Sequence, residues 1–222
     1  MQNSFQFPNP DTASRDGLLC WGGILAPDTL LQAYSQGIFP WFNEDEPILW
    51  WSPNPRFILF PEKLKISKSL QKTIREKKYQ VKFDTAFREV ILHCKHVFRN
   101  GQLGTWITDD MVEAYCNLHE LGFAHSVEAY NEGELVGGLY GISIGRVFCG
   151  ESMFHLKADA SKVAFYYLIE FAKKHQFHFI DAQTPTEYLA SFGAENIPRK
   201  KFLNLLSEAL KFNSLKGKWE NL

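Results

Sequence analysis

The feature that most constrains the fold is a run of three strand-like segments between residues 125 and 154. HSVEAY (125–130) and ELVGGLYGISI (134–144) flank Asn131–Glu132–Gly133, and Gly145–Arg146 turns the chain into VFCGESMF (147–154). Apolar runs broken by short Gly-containing turns read as a three-stranded meander. Its apolar face needs cover, and the flanking segments supply it. Ser67 caps a helix to about Lys77, YQVKF (79–83) alternates as a strand, and Asp84 caps a helix through about Cys94. Thr108 caps another through His119 that stops at Gly122. After the meander come a helix over about 160–175, the apolar strand FHFIDAQ (177–183), and short helices, the last from about Pro198 to Leu210. Strands crossed by helices in this order predict an α+β sheet domain.

The first sixty residues read differently. Pro40, Pro47, Pro53, Pro55 and Pro61 argue for loops and edge strands rather than a regular sheet. One helix stands among them: Pro27–Asp28 start it, TLLQAYSQ continues it and Gly37 stops it. The expected division is a small N-terminal domain over residues 1–56 and a larger domain over 57–222.

Charge follows the same division. Over residues 1–60 six acids face two arginines, whereas over 61–78 seven Lys or Arg face two Glu. Lys68, Lys72 and Arg75 sit at i, i+4 and i+7 and so share one helix face, a candidate surface for phosphates. The bland alternative is a solvated charged face. The chain as a whole carries a net charge of −1, so only a local surface is available to nucleic acid.

Cys20, Cys94, Cys116 and Cys149 form no CxxC pair, which argues against a disulfide framework or a zinc site. His93, Cys94 and His96 lack a second pair at ligand spacing, so no metal is expected. The opening MQNSFQFPNP is not a signal peptide, and no stretch reaches the roughly 18 apolar residues that span a membrane. A cytoplasmic protein is expected. Neither a nucleophile elbow nor a phosphate-binding loop of the Walker type is present.

Two places carry candidate chemistry. In FHFIDAQ, Asp181 and Gln183 stand at i and i+2 and share a strand face, while Ile180 and Ala182 share the other. They are either an acid–base pair or a strand-end Asp capping the next helix. In VFCGESMF, Glu151 follows Gly150, and a glycine inside a strand often marks a bulge or close backbone approach. A buried carboxylate there needs a partner, which is a cationic substrate group, Lys162 or Arg146. Trp41, Trp50, Trp51 and Trp106 lie in loop-like contexts, where aromatics either stack on a base or pack.

Taken in order, GIFPWF (37–42), ILWWSPNPR (48–56), GTWIT (104–108), LHELGFAHSVE (118–128), ELVGGLYG (134–141), VFCGESMF (147–154) and IDAQ (180–183) closely resemble the leucyl/phenylalanyl-tRNA–protein transferases of bacteria. The resemblance spans roughly residues 17 to 210. It implies an α+β fold with a small N-terminal domain and a C-terminal domain like the Gcn5-related acetyltransferases (GNAT). It implies transfer of Leu, Phe or, less well, Met from aminoacyl-tRNA to proteins starting with Arg or Lys. The products are marked for degradation through the ClpS adaptor and the ClpAP protease, with no cofactor and no membrane partner. It implies roles as well. Asp181 and Gln183 assist the attacking amine, and Glu151 holds the substrate near its α-amino group. Trp41 and Trp106 lie near the terminal adenosine. Leu139, Phe148, Met153, Leu168 and Ile180 wall the side-chain pocket. HLKADASK (155–162) stands where GNAT enzymes carry a glycine-rich coenzyme A loop, which argues against acetyl-CoA as donor.

Overall fold

Pro27 occupies the first turn of α1 (Pro27–Ser35), where its missing N–H costs nothing, and Gly37 at φ +73° ends it. A side chain at Gly37 would stand 2.7 Å from the Phe202 ring, so the turn admits glycine on two counts. Around this helix β1 (Leu18–Trp21), β2 (Phe39–Pro40) and β3 (Leu49–Trp51) form a three-stranded antiparallel sheet with β3 in the middle. This computed structural model describes residues 5–97 and 106–221.

A seven-stranded mixed sheet begins with β4 (Arg56–Leu59). It continues with β5 (Gln80–Phe83), β6 (Ala124–Asn131), β7 (Glu134–Ile144), β8 (Val147–His155), β9 (Phe179–Gln183) and β10 (Glu195–Ile197). The spatial order is β10-β4-β9-β8-β7-β6-β5. The meander expected from residues 125–154 is β6-β7-β8, paired antiparallel throughout. One expectation needs correction. Despite the surrounding prolines, β4 is not an edge strand: it pairs with β9 on one side and β10 on the other, and all four residues are buried. Its prolines lie outside the strand itself, so no ladder N–H is lost.

The helices are α2 (Lys68–Arg75), α3 (Phe87–His96), α4 (Asp109–Glu120), α5 (Ala160–Lys174), α6 (Glu187–Ser191) and α7 (Arg199–Ala209). Ser67 and Thr108 cap α2 and α4 by accepting the N–H groups of Leu70 and Met111. Asp84 caps nothing. It sits at φ +56°, and its carboxylate accepts from Ser126 N, His125 Nδ1 and the N–H of Trp219, each at 2.8 Å. The cap reading fails because a neighbouring strand and the C-terminal segment bring donors that the sequence keeps far away. Trp219 stacks on His125 at 3.9 Å and on Phe171 at 4.3 Å, which pins that segment to the sheet.

Alternate residues of the sheet feed two apolar layers. Ile58, Tyr140, Cys149 and Phe179 join α1, α3, α4 and α7 on one face; their neighbours Leu59, Leu139, Phe148 and Ile180 join α5 and Trp219 on the other. The fold class is α+β. Leu30, Tyr34, Phe39 and Trp50 of the N-terminal sheet and helix lie in the first layer, so the small sheet shares its core with the large one.

Candidate active site

β8 and β9 are parallel neighbours, joined by a crossover through α5. Their pairing is Val147 with Phe179, Phe148 with Ile180 and Cys149 with Asp181, and it stops there. Glu151 and Gln183 lie two residues further along each strand, on either side of the opening. The β7–β8 ladder shifts at the same place: Tyr140 pairs with Ser152, but Gly141 pairs with Gly150, which leaves Glu151 as the extra residue of a bulge. A side chain at Gly141 would run into the Cys149 carbonyl, so glycine is what lets the strands approach here.

The bulge also reverses the alternation. Cys149 belongs to the first layer and Phe148 to the second; past the bulge it is Phe154 in the first and Met153 against the second. Strict period two puts Met153 on the side of Glu151. The extra residue moves it to the side of Leu139, Phe148, Leu168 and Ile180. The proposed pocket residues are therefore brought together in one apolar layer. Met153 is partly exposed, and the other four are at most 2% exposed.

Glu151 accepts three hydrogen bonds. Oε1 receives the Tyr34 hydroxyl at 2.7 Å and Gln183 Nε2 at 2.8 Å, and Oε2 receives the Tyr115 hydroxyl at 3.1 Å. The two cations of the chain expected beside it are elsewhere. Lys162 pairs with Asp159, and Arg146 donates to the His175 carbonyl. Burial raises the Glu151 carboxyl to about 7, against the lowering pull of the three donors and with a small further rise from Asp181. Burial, and then the Glu151 charge, push both tyrosines well above 10, so they stay neutral donors. Glu151 keeps part of its surface open to solvent.

Asp181 and Gln183 reach this cluster differently. The Asp181 carboxylate is 1% exposed and lies in a two-pronged pair with Arg56, Nε to Oδ1 at 2.8 Å and Nη2 to Oδ2 at 2.7 Å. Oδ1 also accepts the Gln183 N–H at 3.0 Å. Gln183 adopts φ +62°, a left-handed conformation that a side-chain-bearing residue holds only under constraint. Cys149, buried beside Asp181, has its thiol pushed well above the usual range by burial and then by that charge.

Arg56, Tyr34 and Tyr115 escaped the sequence reading, though each left a signal. Arg56 is a lone cation heading the apolar RFILF, and a charge entering a buried strand needs a buried counter-charge. Tyr34 and Tyr115 lie on apolar helix stripes, where a hydroxyl needs a partner.

The aromatic candidates separate. Trp50 is fully buried and donates to the Gly22 carbonyl. Trp41 is 42% exposed and leans on Trp51 at 5.6 Å. Trp106 is partly buried against the first apolar layer, and Gly104 and Thr105 before it lie outside the described residues. Lys68, Lys72 and Arg75 are exposed on α2, with Lys72 3.8 Å from Glu76. Among the described residues no three His, Cys, Asp or Glu are grouped to hold a metal ion, and no helix is long and apolar enough to cross a membrane. His93 stacks on Phe154 instead.

Fold and cluster define a class: an α+β enzyme with a titratable carboxyl in the opening between two parallel strands. Two family models match the chain, leucyl/phenylalanyl-tRNA protein transferase over residues 58–207 and the N-terminal domain of the same family over 23–54. Proteins named leucyl/phenylalanyl-tRNA–protein transferase align over nearly all of it. The one from Myxococcus xanthus is 56% identical over 96% of this chain and 91% of its own length. That from Maridesulfovibrio salexigens is 55% identical over 96% and 90%, and one from Legionella pneumophila 52% over 98% and 97%. The chain belongs to the leucyl/phenylalanyl-tRNA–protein transferase family and is an aminoacyltransferase. Solved structures with distant likeness include L-PGS from Bacillus licheniformis, 12% identical, TM-score 0.39, covering 74% of this chain and 55% of that one. Another is a GCN5-related N-acetyltransferase-like protein from Streptococcus suis, 14% identical, TM-score 0.33, covering 85% and 64%. Likenesses this distant carry no argument.

Proposed function

We propose that the chain moves Leu, Phe and, less well, Met from aminoacyl-tRNA to the N-terminal α-amine of proteins that begin with Arg or Lys. This occurs in the cytoplasm, and the products are read by ClpS and ClpAP as degradation signals. The observation that carries the reading is the Glu151 carboxyl held by Tyr34, Tyr115 and Gln183 in the strand opening, where burial also raises it to about 7.

Aminoacyl-tRNA is already an activated ester, so the enzyme has mainly to align the two reactants, and alignment supplies several kcal/mol. The acceptor amine has an unperturbed pKa of about 8. Its nitrogen attacks the ester carbonyl, the N–C bond forms, and the C–O bond to the terminal ribose breaks. The amine proton passes to Glu151 and from there to the departing ribose oxygen. A carboxyl near neutrality serves both transfers. Gln183 holds Glu151 in place, and Asp181 holds Gln183.

Leu139, Phe148, Met153, Leu168 and Ile180 surround the donor side chain. A methylene is worth about 1–3 kcal/mol in such a pocket, so discrimination among Leu, Phe and Met is incomplete. Trp41 and Trp106 stack on the terminal adenosine, at about 1–3 kcal/mol per base. Lys68, Lys72 and Arg75 meet tRNA phosphates without reading sequence. The test is transfer of labelled Leu or Phe from charged tRNA to a peptide beginning with Arg, against the same peptide with its N-terminus acetylated. Label on the free peptide alone is expected; label on neither, with tRNA still bound, rules the reading out.

A further inference from the structure

Arg56 opens the first strand of the large sheet and is buried to 1%. A buried guanidinium needs its donors matched, and here they are matched by two different parts of the fold. Two donors grip Asp181 on β9, while Nη1 donates to the Gly37 carbonyl at the end of α1, at 3.2 Å. The Arg56 Cζ lies 4.8 Å from the centre of the Phe39 ring and 4.5 Å from that of the Phe202 ring of α7. One side chain thus joins the helix that carries Tyr34, the strand that carries Asp181 and Gln183, and α7.

The contacts run onward as a chain. Arg56 fixes Asp181, Asp181 Oδ1 fixes the Gln183 N–H, and the left-handed turn at Gln183 aims Nε2 at Glu151. Asp181 has no oxygen turned toward an incoming amine, because both are taken and the residue is closed to solvent. We propose that Arg56 is a positioning residue for aminoacyl transfer. It clamps Asp181, so that Gln183 is held in its turn and both Asp181 oxygens are occupied, and the proton of the acceptor amine goes to Glu151 and not to Asp181. This rests on the transferase reading above.

The groups around Glu151 decide how its protonation responds. Tyr34 faces it from α1 and Tyr115 from α4, with Tyr140 of β7 behind Tyr115 at 5.6 Å. Gln183 and Asp181 face it from β9, Cys149 lies on its own strand, and Arg56 stands behind Asp181. Burial sets the high value, and the Asp181 charge adds to it. Removing that charge while Arg56 stays lowers the Glu151 value.

The test is single-turnover transfer of Leu from Leu-tRNA to an Arg-initial peptide at pH values on both sides of neutrality, with tRNA affinity measured separately. Asp181→Asn keeps an oxygen for the Gln183 N–H but leaves Arg56 uncompensated. The midpoint of its pH–rate profile is expected to fall by about one unit, with tRNA affinity within about twofold. Arg56→Lys keeps the charge and loses the fork. Its midpoint is expected to stay, with the rate down about 10–100-fold as Gln183 loosens. An Asp181→Asn profile that loses its pH dependence makes Asp181 the proton acceptor and overturns the proposal, as does an unmoved midpoint. If Asp181→Asn does not fold, the carboxyl carbon resonances of the wild-type protein decide. A neutral-range titration at Glu151 is expected, and one belonging to Asp181 overturns the proposal. Failure of the wild-type protein to label the peptide sinks the transferase reading instead, and the resonance titration is read without substrate in either case.

Discussion

Two carboxylates in this molecule each gather three hydrogen bonds and yet serve opposite ends. Asp84, just past the edge strand β5, is closed over. Ser126 N, His125 Nδ1 and Trp219 N converge on it, and the indole of Trp219 covers His125. Burial holds His125 below its usual pKa although Asp84 pulls it up. Glu151, at the parting of β8 and β9, is held by two tyrosine hydroxyls and an amide and keeps an open side. Donors from a neighbouring strand and from the C-terminal segment make the first a staple. Donors that leave one direction free, with a carboxyl raised to about 7, make the second a place where a proton can come and go.

The comparison can be broken most sharply at Glu151. Glu151→Gln keeps the volume and removes the titration, and transfer is expected to fall about 10²–10⁴-fold with tRNA affinity nearly unchanged. A loss of less than about fivefold removes Glu151 from proton transfer. Next is the staple. Trp219→Ala leaves a cavity where a fully buried indole stood and is expected to cost about 3–5 kcal/mol in urea unfolding. The pH midpoint of transfer stays in place. A shift in that midpoint means that the two regions are not separate.

A third measurement uses the pH dependence of stability. The Glu151 carboxyl is raised from the ordinary 4.5 to about 7 by burial in the folded protein. A raised folded value means that the folded state binds the proton more tightly. Its contribution is therefore full below about pH 4.5 and is lost as pH rises through about 7, a change of roughly 2–3 kcal/mol after allowance for partial exposure. Glu151→Gln should flatten that slope, and equal slopes in variant and wild type contradict the raised value. The smallest effect is at the surface. Changing Lys68, Lys72 and Arg75 together to Gln should lower the salt slope of tRNA binding by about 2, and an unchanged slope takes α2 out of the tRNA interface.

Much of the frame was legible locally. Ser67 and Thr108 cap their helices because the N–H groups they accept are three residues away. The meander was legible because its turns are short and lie between apolar runs. Asp84 looked like the same kind of cap and is not, because its donors arrive from residues 125, 126 and 219. Glu151 carried a hint in Gly150, but the partners suggested for it were cations. Its partners within the protein are the Gln183 amide and two hydroxyls that the chain brings in from positions 34 and 115.

By itself the sequence determined most of the helices, the meander and the family, since caps and turns act over a few residues and the motif wording is long and specific. Only the tertiary structure decided that β4 is an inner strand, that Arg56 pairs with Asp181, and that a bulge at Glu151 sends Met153 to the opposite layer. The reason is physical. A buried charge must be matched by whatever strand becomes its neighbour, and which strands become neighbours depends on how the whole apolar surface is covered, a property no short window of residues contains.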